Sequence, residues 1–328
     1  MKPAAPAAVL LLLVLLAAGC RPAGPATSAA PAGSAGRFTV MTFNLNQYAL
    51  ADRDGNADTL EPKPPREAAA VIAAIRQAAP DILALQEMGD PAAWADFQAR
   101  LRAAGLDYPH TEYLRQDPQD RNLALLSRFP IAACRFHTND TFTIGPGEFP
   151  VRRGFIEADI DVNPGYRLHL LVAHLKSKVF HEYGQAEMRR NEARLLANHV
   201  RAVLKENPDA NLLVVGDLND NPDSDPVRSL LEYQDKPLLF DLRPEDADRD
   251  AWTYREGADT HYRIDYLLAS PGLLPEVDFD RTCVLADPGL AQASDHRPLL
   301  GTFCAADRGP EAAPDLAARK PCAFPPDE

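Results

Sequence analysis

The sequence is poor in several residue types, and each shortage excludes a class of protein. Only 7% of its 328 residues are aromatic, and no stretch interleaves aromatic with basic residues, so recognition of single-stranded nucleic acid by base stacking is not indicated. Its 34 basic residues are outnumbered by 47 acidic ones, and a net charge of −13 argues against sequence-independent scaffolding on DNA. Beyond the N-terminus, no apolar run approaches the roughly 18 residues that span a bilayer. A content of 46% hydrophobic and 25% charged residues indicates a globular protein and excludes a disordered or collagen-like one.

Cysteine is also scarce, with five residues in the chain. The cysteines beyond residue 20 match no zinc-binding spacing; they are Cys134, Cys283, Cys304 and Cys322. An even number in an oxidising compartment allows all of them to form disulfides, with the connectivity left open. A bridge to Cys322 would attach the Pro-rich and Ala-rich C-terminal tail to the body of the protein. The alternative is that some are buried free thiols, which behave as small hydrophobic residues.

The N-terminus has the features of an export signal. Lys2 precedes an apolar core from Ala7 to Leu16, and small residues ending in Cys20 follow. This order resembles a bacterial lipoprotein signal, in which the cysteine is acylated and becomes the first mature residue. Residues 1–19 are therefore predicted to be a signal peptide, and Cys20 a lipid anchor in the bacterial cell envelope, at the outer membrane and facing either the periplasm or the surface. Ordinary secretory cleavage nearby is the alternative.

The remaining chain is predicted to form a tether over residues 20–36, one domain over 37–304 and a C-terminal tail over 305–328. The tether contains almost no large apolar side chain and cannot bury a core. In the domain, apolar runs predict strands over Phe38–Phe43, Ile82–Leu85, Leu123–Leu126, Phe155–Ile160, Leu168–Ala173, Leu212–Val215, Ile264–Leu268 and Leu299–Phe303. Helical spacing predicts helices over residues 65–79 and 185–206. Because several strands are apolar at consecutive positions, both sheet faces must be covered, and two strand layers between two helix layers achieve this.

Polar side chains lie at the ends of several predicted strands or within one. In extended backbone, residues two apart lie on the same side, which groups Asp217 with Asn219 and His174 with Lys176. The full set is Asn44, Glu87, His174, Asp217, Asn219, Asp265, Asp295 and His296. Each residue also has a structural interpretation when taken alone: Asp265 can pair with Arg263, and Asp295 can cap a turn. Independent accidents would not reproduce the whole set, so we favour a functional site.

The histidines outside this set are assigned no catalytic role. Two of them are predicted to be structural, namely His169 and His199. A lone histidine on a strand or on the apolar side of a helix is more often a hydrogen-bonded structural residue than a ligand or a catalyst.

Several of these motifs resemble the endonuclease/exonuclease/phosphatase superfamily in order and approximate spacing. They are Phe43-Asn44, Leu85-Gln86-Glu87, Gly216-Asp217-Leu218-Asn219, Ile264-Asp265-Tyr266 and Ser294-Asp295-His296. The resemblance is specific because separated motifs must coincide, and it covers about residues 37–303. It implies a four-layer α/β sandwich, with two mixed, mainly antiparallel β-sheets packed face to face and helices outside. The superfamily includes pancreatic deoxyribonuclease, abasic-site endonucleases, neutral sphingomyelinases and inositol-polyphosphate 5-phosphatases.

The resemblance also implies a metal-dependent phosphoester hydrolase that uses in-line attack of an activated water. Since a phosphodiester anion repels hydroxide, the site must neutralise phosphoryl oxygens and deprotonate water. The implied ligands of Mg²⁺, or of Mn²⁺ or Ca²⁺, are Glu87, Asp295 and Asn44. The implied catalytic residues are His174, Asp217, Asn219, Asp265 and His296, with His296 oriented by Asp265. Either Asp217 or His296 takes the proton of water. Substrate phosphates are expected to contact Asn44, Arg152, Arg153, Lys176 and Lys178.

Three functions follow as hypotheses. The leading one is a monomeric phosphodiesterase that cleaves nucleic acid outside the cytoplasm. The second is a phosphatase or sphingomyelinase-like hydrolase of small or lipid phosphoesters, although the sequence shows no evident hydrophobic interfacial loop. The third is an inactive binding module of the same fold. It ranks last because none of the expected metal or base residues is missing.

Overall fold

The computed structural model describes residues 36–56, 58–287 and 289–313, together with Met1 and Cys322. Apart from Met1 and Gly36, the predicted signal peptide, the predicted acylation site Cys20 and the predicted tether therefore fall outside the described residues, as does most of the tail. Among the described residues, no helix has the length and hydropathy needed to cross a membrane.

The α-helices of the described chain are α1 (Pro65–Ala78), α2 (Pro91–Ala103), α3 (Gln185–Glu206) and α4 (Asp225–Leu231). Helix α1 begins at a proline, whose missing N–H costs nothing in a first turn, and α3 has the predicted bounds. Helices α2 and α4 were not predicted. Helix α2 is capped by Asp90, whose side chain accepts a hydrogen bond from the Ala93 N–H. Its buried residues are only Phe97 and Leu101, so its hydrophobic pattern is weak.

Every predicted strand is present, although β16 begins at Asp265 and not at Ile264. The strands are β1 (Arg37–Tyr48), β2 (Ile82–Met88), β3 (His110–Leu114), β4 (Asn122–Ser127), β5 (Ile131–His137), β6 (Thr141–Ile144), β7 (Gly147–Pro150), β8 (Phe155–Asn163), β9 (Tyr166–His174), β10 (Leu212–Asp217), β11 (Glu232–Tyr233), β12 (Lys236–Pro237), β13 (Phe240–Asp241), β14 (Tyr254–Glu256), β15 (Thr260–Tyr262), β16 (Asp265–Ala269), β17 (Cys283–Val284) and β18 (Leu299–Cys304). Short 3-10 helices span Leu274–Glu276, Phe279–Arg281, Leu290–Gln292 and Pro310–Ala312.

Two six-stranded sheets form the centre of the domain. The strand order is β17-β18-β1-β2-β4-β3 in the first sheet and β13-β16-β10-β9-β8-β5 in the second. Within each sheet one central pair is parallel, β1 with β2 and β9 with β10, and the other pairs are antiparallel. The remaining strands form short two-stranded hairpins.

Three apolar clusters separate four layers. Val40 and Val215 belong to the cluster between the sheets. Helices α1 and α2 cover the outer face of the first sheet, with Ile75 among the buried residues. Helices α3 and α4 cover the outer face of the second sheet through residues such as Leu196 and Val227. The predicted four-layer α/β sandwich with mixed, mainly antiparallel sheets is therefore confirmed, because both faces of each sheet are buried as the apolar runs required.

The cysteines are only partly paired. Cys283 on β17 forms a disulfide with Cys322, which attaches that residue of the tail to the first sheet, whereas Cys134 and Cys304 are free thiols. The disulfide interpretation therefore applies to Cys283 and Cys322, whereas Cys134 and Cys304 are free thiols that are only partly buried.

Candidate active site

One edge of the sandwich gathers most of the predicted site residues. The parallel strands β1, β2, β9 and β10 end there, and the antiparallel strands β16 and β18 begin there. These ends surround a cleft of about 400 Å³. The predicted residues that line the cleft are Glu87, His174, Asp217, Asn219, Asp295 and His296. Asn44 and Asp265 lie directly behind it and contact residues of its wall.

Unusual backbone conformations aim side chains into this cleft. Glu87 has φ of 61° and Asn219 has φ of 55°, in the left-handed region that is costly for residues with a Cβ atom. The pairing of β1 with β2 also shifts register between Asn44 and Tyr48. Such strain is retained where the surrounding structure enforces it, which is typical of functional sites.

Gly216 sets the position of the next residue, Asp217. Its φ is 133°, and a Cβ atom built there would lie 1.9 Å from the carbonyl oxygen of Ala173 on β9. Only glycine allows the backbone of β10 to approach β9 this closely. The glycine of the Gly216-Asp217-Leu218-Asn219 motif is therefore a steric requirement for presenting the carboxylate at the strand end.

Asp217 is the centre of the polar network and is 1% exposed. Its carboxylate accepts hydrogen bonds from the Asn44 Nδ2 atom at 3.0 Å and from the Asn219 backbone N at 2.8 Å and Nδ2 at 3.2 Å. The Nε2 atoms of two imidazoles approach its Oδ2 atom, His174 at 3.3 Å and His296 at 3.9 Å. One carboxylate is thus fixed by amides and flanked by the two histidines.

His296 and Asp265 form a buried carboxylate–imidazole pair, with 2.8 Å between Nδ1 and Oδ2. Arg263 pairs with Asp241, so the structural alternative for Asp265 is not observed. The Asp265 backbone N donates to the Thr253 hydroxyl, which fixes the start of β16. Burial lowers the pKa of His296, but the surrounding carboxylates, led by Asp265, outweigh burial and raise it to about 10. They favour the imidazolium form, which can donate to a phosphoryl oxygen.

His174 has the opposite electrostatics. It is 2% exposed, and its Nδ1 atom has no hydrogen-bond partner among the described residues. Burial, with the nearby Arg153 guanidinium, holds the pKa of His174 well below its usual value, so the ring is neutral. Two histidines with oppositely shifted pKa values thus flank Asp217, an arrangement that can hold and move protons.

Glu87 and Asp295 provide carboxylate oxygens suited to a hard cation. Both line the cleft, and the Glu87 Oε1 atom lies 4.0 Å from His174 Nε2. Its Oε2 atom accepts from the Gln47 backbone N at 2.9 Å. Burial raises the pKa of Asp295, and Glu87 adds to this through like-charge repulsion, which a bound cation would relieve. The donor set therefore fits a divalent metal that prefers oxygen ligands, and Glu87 with Asp295 would hold it.

Another possible ligand set lies deeper in the same site. Ligand atoms of Asp217, Asp265 and His296 all lie within 4.8 Å of one another. Both imidazole nitrogens of His296 already face carboxylates, so these residues form a hydrogen-bonded network as well.

The structure places Asn44 differently from its predicted role as a metal or phosphate ligand. Its side chain is 1% exposed and does not line the cleft. The amide oxygen accepts from the Asn46 backbone N, and the amide nitrogen donates to Asp217. Asn44 therefore positions the carboxylate of Asp217.

Three of the predicted substrate-binding cations are also turned away from the cleft. Arg153 is 2% exposed, and its guanidinium donates to Asp117 and to the Leu175 carbonyl. Arg152 shares Asp117, with 3.4 Å between Nε and Oδ2. Lys176 is buried, and its Nζ atom donates to backbone carbonyls of its own loop. Because protein acceptors occupy the donors of Arg153 and Lys176, these two cations hold the loops around the site. Arg152 is partly exposed and bonds Asp117 through Nε, but it does not line the cleft either.

Other residues supply the charge and the aromatic surface of the cleft. Lys178 does line it and stacks over the Tyr262 ring at 4.6 Å, and Arg121 lines the cleft as well. Tyr254 packs against His296, with ring centroids 4.9 Å apart. Sequence analysis missed Arg121 and the two tyrosines. They lie in loops and short hairpins whose direction no local pattern reveals.

An exposed apolar tip borders the cleft. Val179 is 68% exposed and lines its rim, and Phe180 beside it is 81% exposed. The Lys176 Nζ atom donates to the Val179 carbonyl at 2.8 Å, which fixes the base of this tip. No hydrophobic interfacial loop was evident in the sequence, and the structure adds this short exposed tip beside the cleft. Periodicity did not detect it because the tip is only two residues long.

Fold and site together define a protein with an acid–imidazole centre at the strand ends of an α/β sandwich. The family model described as the Endonuclease/Exonuclease/phosphatase family matches residues 41–296, and the chain belongs to this family, whose members are phosphoesterases. No curated protein sequence matches the chain significantly.

Solved structures of similar fold include several from this superfamily. Truncated TDP2 from Caenorhabditis elegans is 20% identical, with a TM-score of 0.55 over 82% of this chain and 98% of that one. The human Nocturnin catalytic domain with bound sulfate anion is 18% identical, with a TM-score of 0.58 over 83% and 95%. Sphingomyelinase C from Streptomyces griseocarneus is 19% identical, with a TM-score of 0.53 over 81% and 99%. At these identities the similarity establishes the fold.

Proposed function

We propose that this chain is a metal-dependent phosphodiesterase that cleaves nucleic acid outside the cytoplasm. The observation that carries the proposal is the position of Asp217, a buried carboxylate between two imidazoles in an open cleft that also contains Glu87 and Asp295. A phosphodiester needs a base for water, donors for its oxygens and a site for a cation, and the cleft provides each of them.

Each residue has a proposed role. Asp217 orients the attacking water and accepts its proton, because its carboxylate oxygens accept hydrogen bonds and it lines the cleft. His296 donates to a phosphoryl oxygen while Asp265 fixes the orientation of its ring. Neutral His174 lies on the other side of Asp217, and its Nε2 atom can donate a hydrogen bond to the Asp217 carboxylate, 3.3 Å away. Asn219 holds Asp217 and the neighbouring loop.

A divalent cation such as Mg²⁺ would be held by Glu87 and Asp295. When bound, it would neutralise charge on the phosphate and the leaving oxygen. Glu87 is held in place by the Gln47 N–H, and this contact orients its carboxylate before any cation arrives.

Nucleic acid is favoured as substrate by the walls of the cleft. Lys178 and Arg121 both line the cleft and can contact backbone phosphates next to the scissile one. Tyr254 and Tyr262 offer ring surfaces beside them, on which neighbouring bases or sugars can pack.

A lipid phosphoester is the second candidate, and a specific observation favours it. The exposed Val179–Phe180 tip next to the cleft could enter a bilayer surface and bring a head group to Asp217. Sphingomyelinase C is also among the proteins of similar fold. We further propose that the mature chain is a monomer held in the cell envelope through acylated Cys20, which would place either substrate within reach.

Parallel substrate assays test the proposal. The full chain is incubated with supercoiled plasmid, a chromogenic phosphodiester, sphingomyelin vesicles and an inositol phosphate, each with EDTA and then with Mg²⁺, Mn²⁺ or Ca²⁺ added back. We expect chelator-sensitive nicking of the plasmid. Hydrolysis of sphingomyelin or of small esters without nicking of the plasmid would refute the nuclease proposal and support the second candidate. Inactivity on all substrates would indicate a binding module.

Variants of β10 provide the matched control. Asp217→Asn removes the negative charge and with it the base at the cleft end of the strand, and turnover should fall about 10³- to 10⁴-fold. Asp209→Asn changes an exposed acid before the opposite end of the same strand and should retain full activity. Equal activity of the two variants would refute the proposed role of Asp217.

A further inference from the structure

A second group of metal-ligating side chains lies outside the cleft, on the outer face of the second sheet. His137 ends β5, Asp140 lies in the connection to β6, and His199 belongs to α3. One ligand atom from each residue lies within 4.8 Å of the others. Their side chains are 17%, 23% and 21% exposed, so solvent reaches the group. None of these residues contributes to the proposed active site.

His137 already has the carboxylate partner that a metal-ligating imidazole needs. Glu157 approaches His137, with 2.6 Å between Oε2 and Nε2, and Arg135 holds the other oxygen of this carboxylate at 2.6 Å. A carboxylate behind an imidazole fixes the ring and increases its basicity toward a metal.

The packing of the two rings calls for a compensating charge or for neutral rings. The ring centroids of His137 and His199 are 3.7 Å apart, and the His199 Nε2 atom lies 2.5 Å from Asp140 Oδ2. Two imidazolium rings at this separation would repel each other. Two neutral imidazoles and a carboxylate around one cation satisfy the same geometry without that repulsion.

We propose that His137, Asp140 and His199 form a second divalent-metal site, with Zn²⁺ as its preferred ion. Imidazole nitrogen suits Zn²⁺, whereas Mg²⁺ prefers oxygen ligands, so the site should discriminate between the two ions. Three protein ligands leave a fourth position to water. The set differs from the oxygen-rich pair of Glu87 and Asp295, and the two sites should load independently.

The bound ion would connect elements that support the active site. The Asp140 carbonyl accepts from the Val151 N–H, next to the loop that carries Arg152. On α3, Glu192 accepts from the backbone N of Arg152 and of Lys176. A metal that joins the end of β5 to α3 would therefore stiffen the layer beneath these loops. The expected role is structural, with stability as its main readout.

Metal binding to the full chain tests the proposal without reference to activity. The chain is stripped with chelator, dialysed against micromolar Zn²⁺ in excess Mg²⁺, and analysed for metal content, for melting temperature and for the visible spectrum after Co²⁺ substitution. We expect one tightly held Zn²⁺ per chain, a higher melting temperature with Zn²⁺, and a Co²⁺ spectrum typical of a four-coordinate site.

Variants assign the ion to its ligands. His137→Gln and His199→Gln should each lose the bound Zn²⁺ and the thermal shift, and Glu157→Gln should weaken binding about 10- to 100-fold. Two control variants should keep the bound Zn²⁺ and the thermal shift. They are His169→Gln, since His169 contacts Glu157 but is not a ligand, and Asp217→Asn. If a ligand histidine variant does not fold, Asp140→Asn gives the same readout. The proposal would be overturned if the wild-type chain held no Zn²⁺ tightly. It would also be overturned if Zn²⁺ binding survived in a folded variant of either ligand histidine, or if only Asp217→Asn lost it.

Discussion

Two buried acids at different places in the sandwich show what makes a carboxyl group functional. Asp265 is 3% exposed and faces the imidazole of His296 at the cleft. Glu276 is 1% exposed and accepts a hydrogen bond from the hydroxyl of Tyr166, away from the cleft. Burial raises the pKa of both carboxyls. Burial therefore does not distinguish them.

The difference lies in the partner. The imidazole of His296 can become a cation and form an ion pair with Asp265, so this acid is coupled to a group that can act on a substrate. The phenol of Tyr166 only donates a hydrogen bond, and Glu276 gains no countercharge from it. A carboxyl group with a strongly shifted pKa indicates a functional site only when the group that faces it can carry a charge. This rule can be tested at Asp265 and at Glu276.

The largest expected effect is on catalysis at Asp265. Asp265→Asn keeps the shape of the side chain but removes the charge that orients and stabilises His296, so kcat should fall about 10²- to 10⁴-fold. The fold should be retained because the amide is nearly isosteric. The measurement is kcat on the preferred substrate together with circular dichroism and thermal melting. The equivalent change Glu276→Gln should leave kcat unchanged, and a similar loss in both variants would end the distinction.

The strand-end residues of the site could be predicted from the sequence, whereas the direction of its loop residues could not. Asp217 and Asp265 border apolar strands, and strand pairing brings such ends to one edge, so their convergence could be predicted. Arg153 lies in a loop, and its direction is set by Asp117, which is 36 residues away in the chain. A motif gives the residue type at such a position but not the acceptor that occupies it. The left-handed backbone of Glu87 likewise depends on long-range packing.

The layers of the fold could be predicted for a related reason. Consecutive apolar positions in strands require cover on both faces, and this holds without knowledge of contacts. Helix α2 escaped prediction because its buried surface is small and comes mainly from Phe97 and Leu101. Elements that bury little of their surface have weak patterns, and tertiary contacts decide their structure.

An intermediate effect is expected on stability at Glu276. Burial raises the pKa of this carboxyl from 4.5 in its ordinary state to about 7 in the fold. Between these values the folded chain binds more protons than the unfolded chain, so stability falls as pH rises from about 4.5 to 7. The loss should be about 1–3 kcal/mol, since one pKa unit corresponds to about 1.4 kcal/mol.

Urea unfolding at pH 5 and pH 8 measures this loss. Glu276→Gln removes the titrating group, so the variant should lose less stability than the wild type between the two pH values. Glu311→Gln, at an exposed acid, serves as control and should follow the wild type. An identical pH dependence in the wild type and in Glu276→Gln would show that this carboxyl does not titrate in the range.

The smallest expected effect extends the comparison to cations. Arg121 lines the cleft, whereas Arg152 donates to Asp117. If Arg121 contacts a substrate phosphate, Arg121→Ala should lower kcat/KM about tenfold and reduce the slope of log kcat/KM against log salt by about one. Arg152→Ala should cost about 1 kcal/mol of stability or less and leave the salt slope unchanged, because its charge is already paired within the protein. If Arg152→Ala reduced the salt slope and Arg121→Ala left it unchanged, the assignment would be reversed. Arg152, which the motif predicted, would then be the residue that contacts the substrate phosphate.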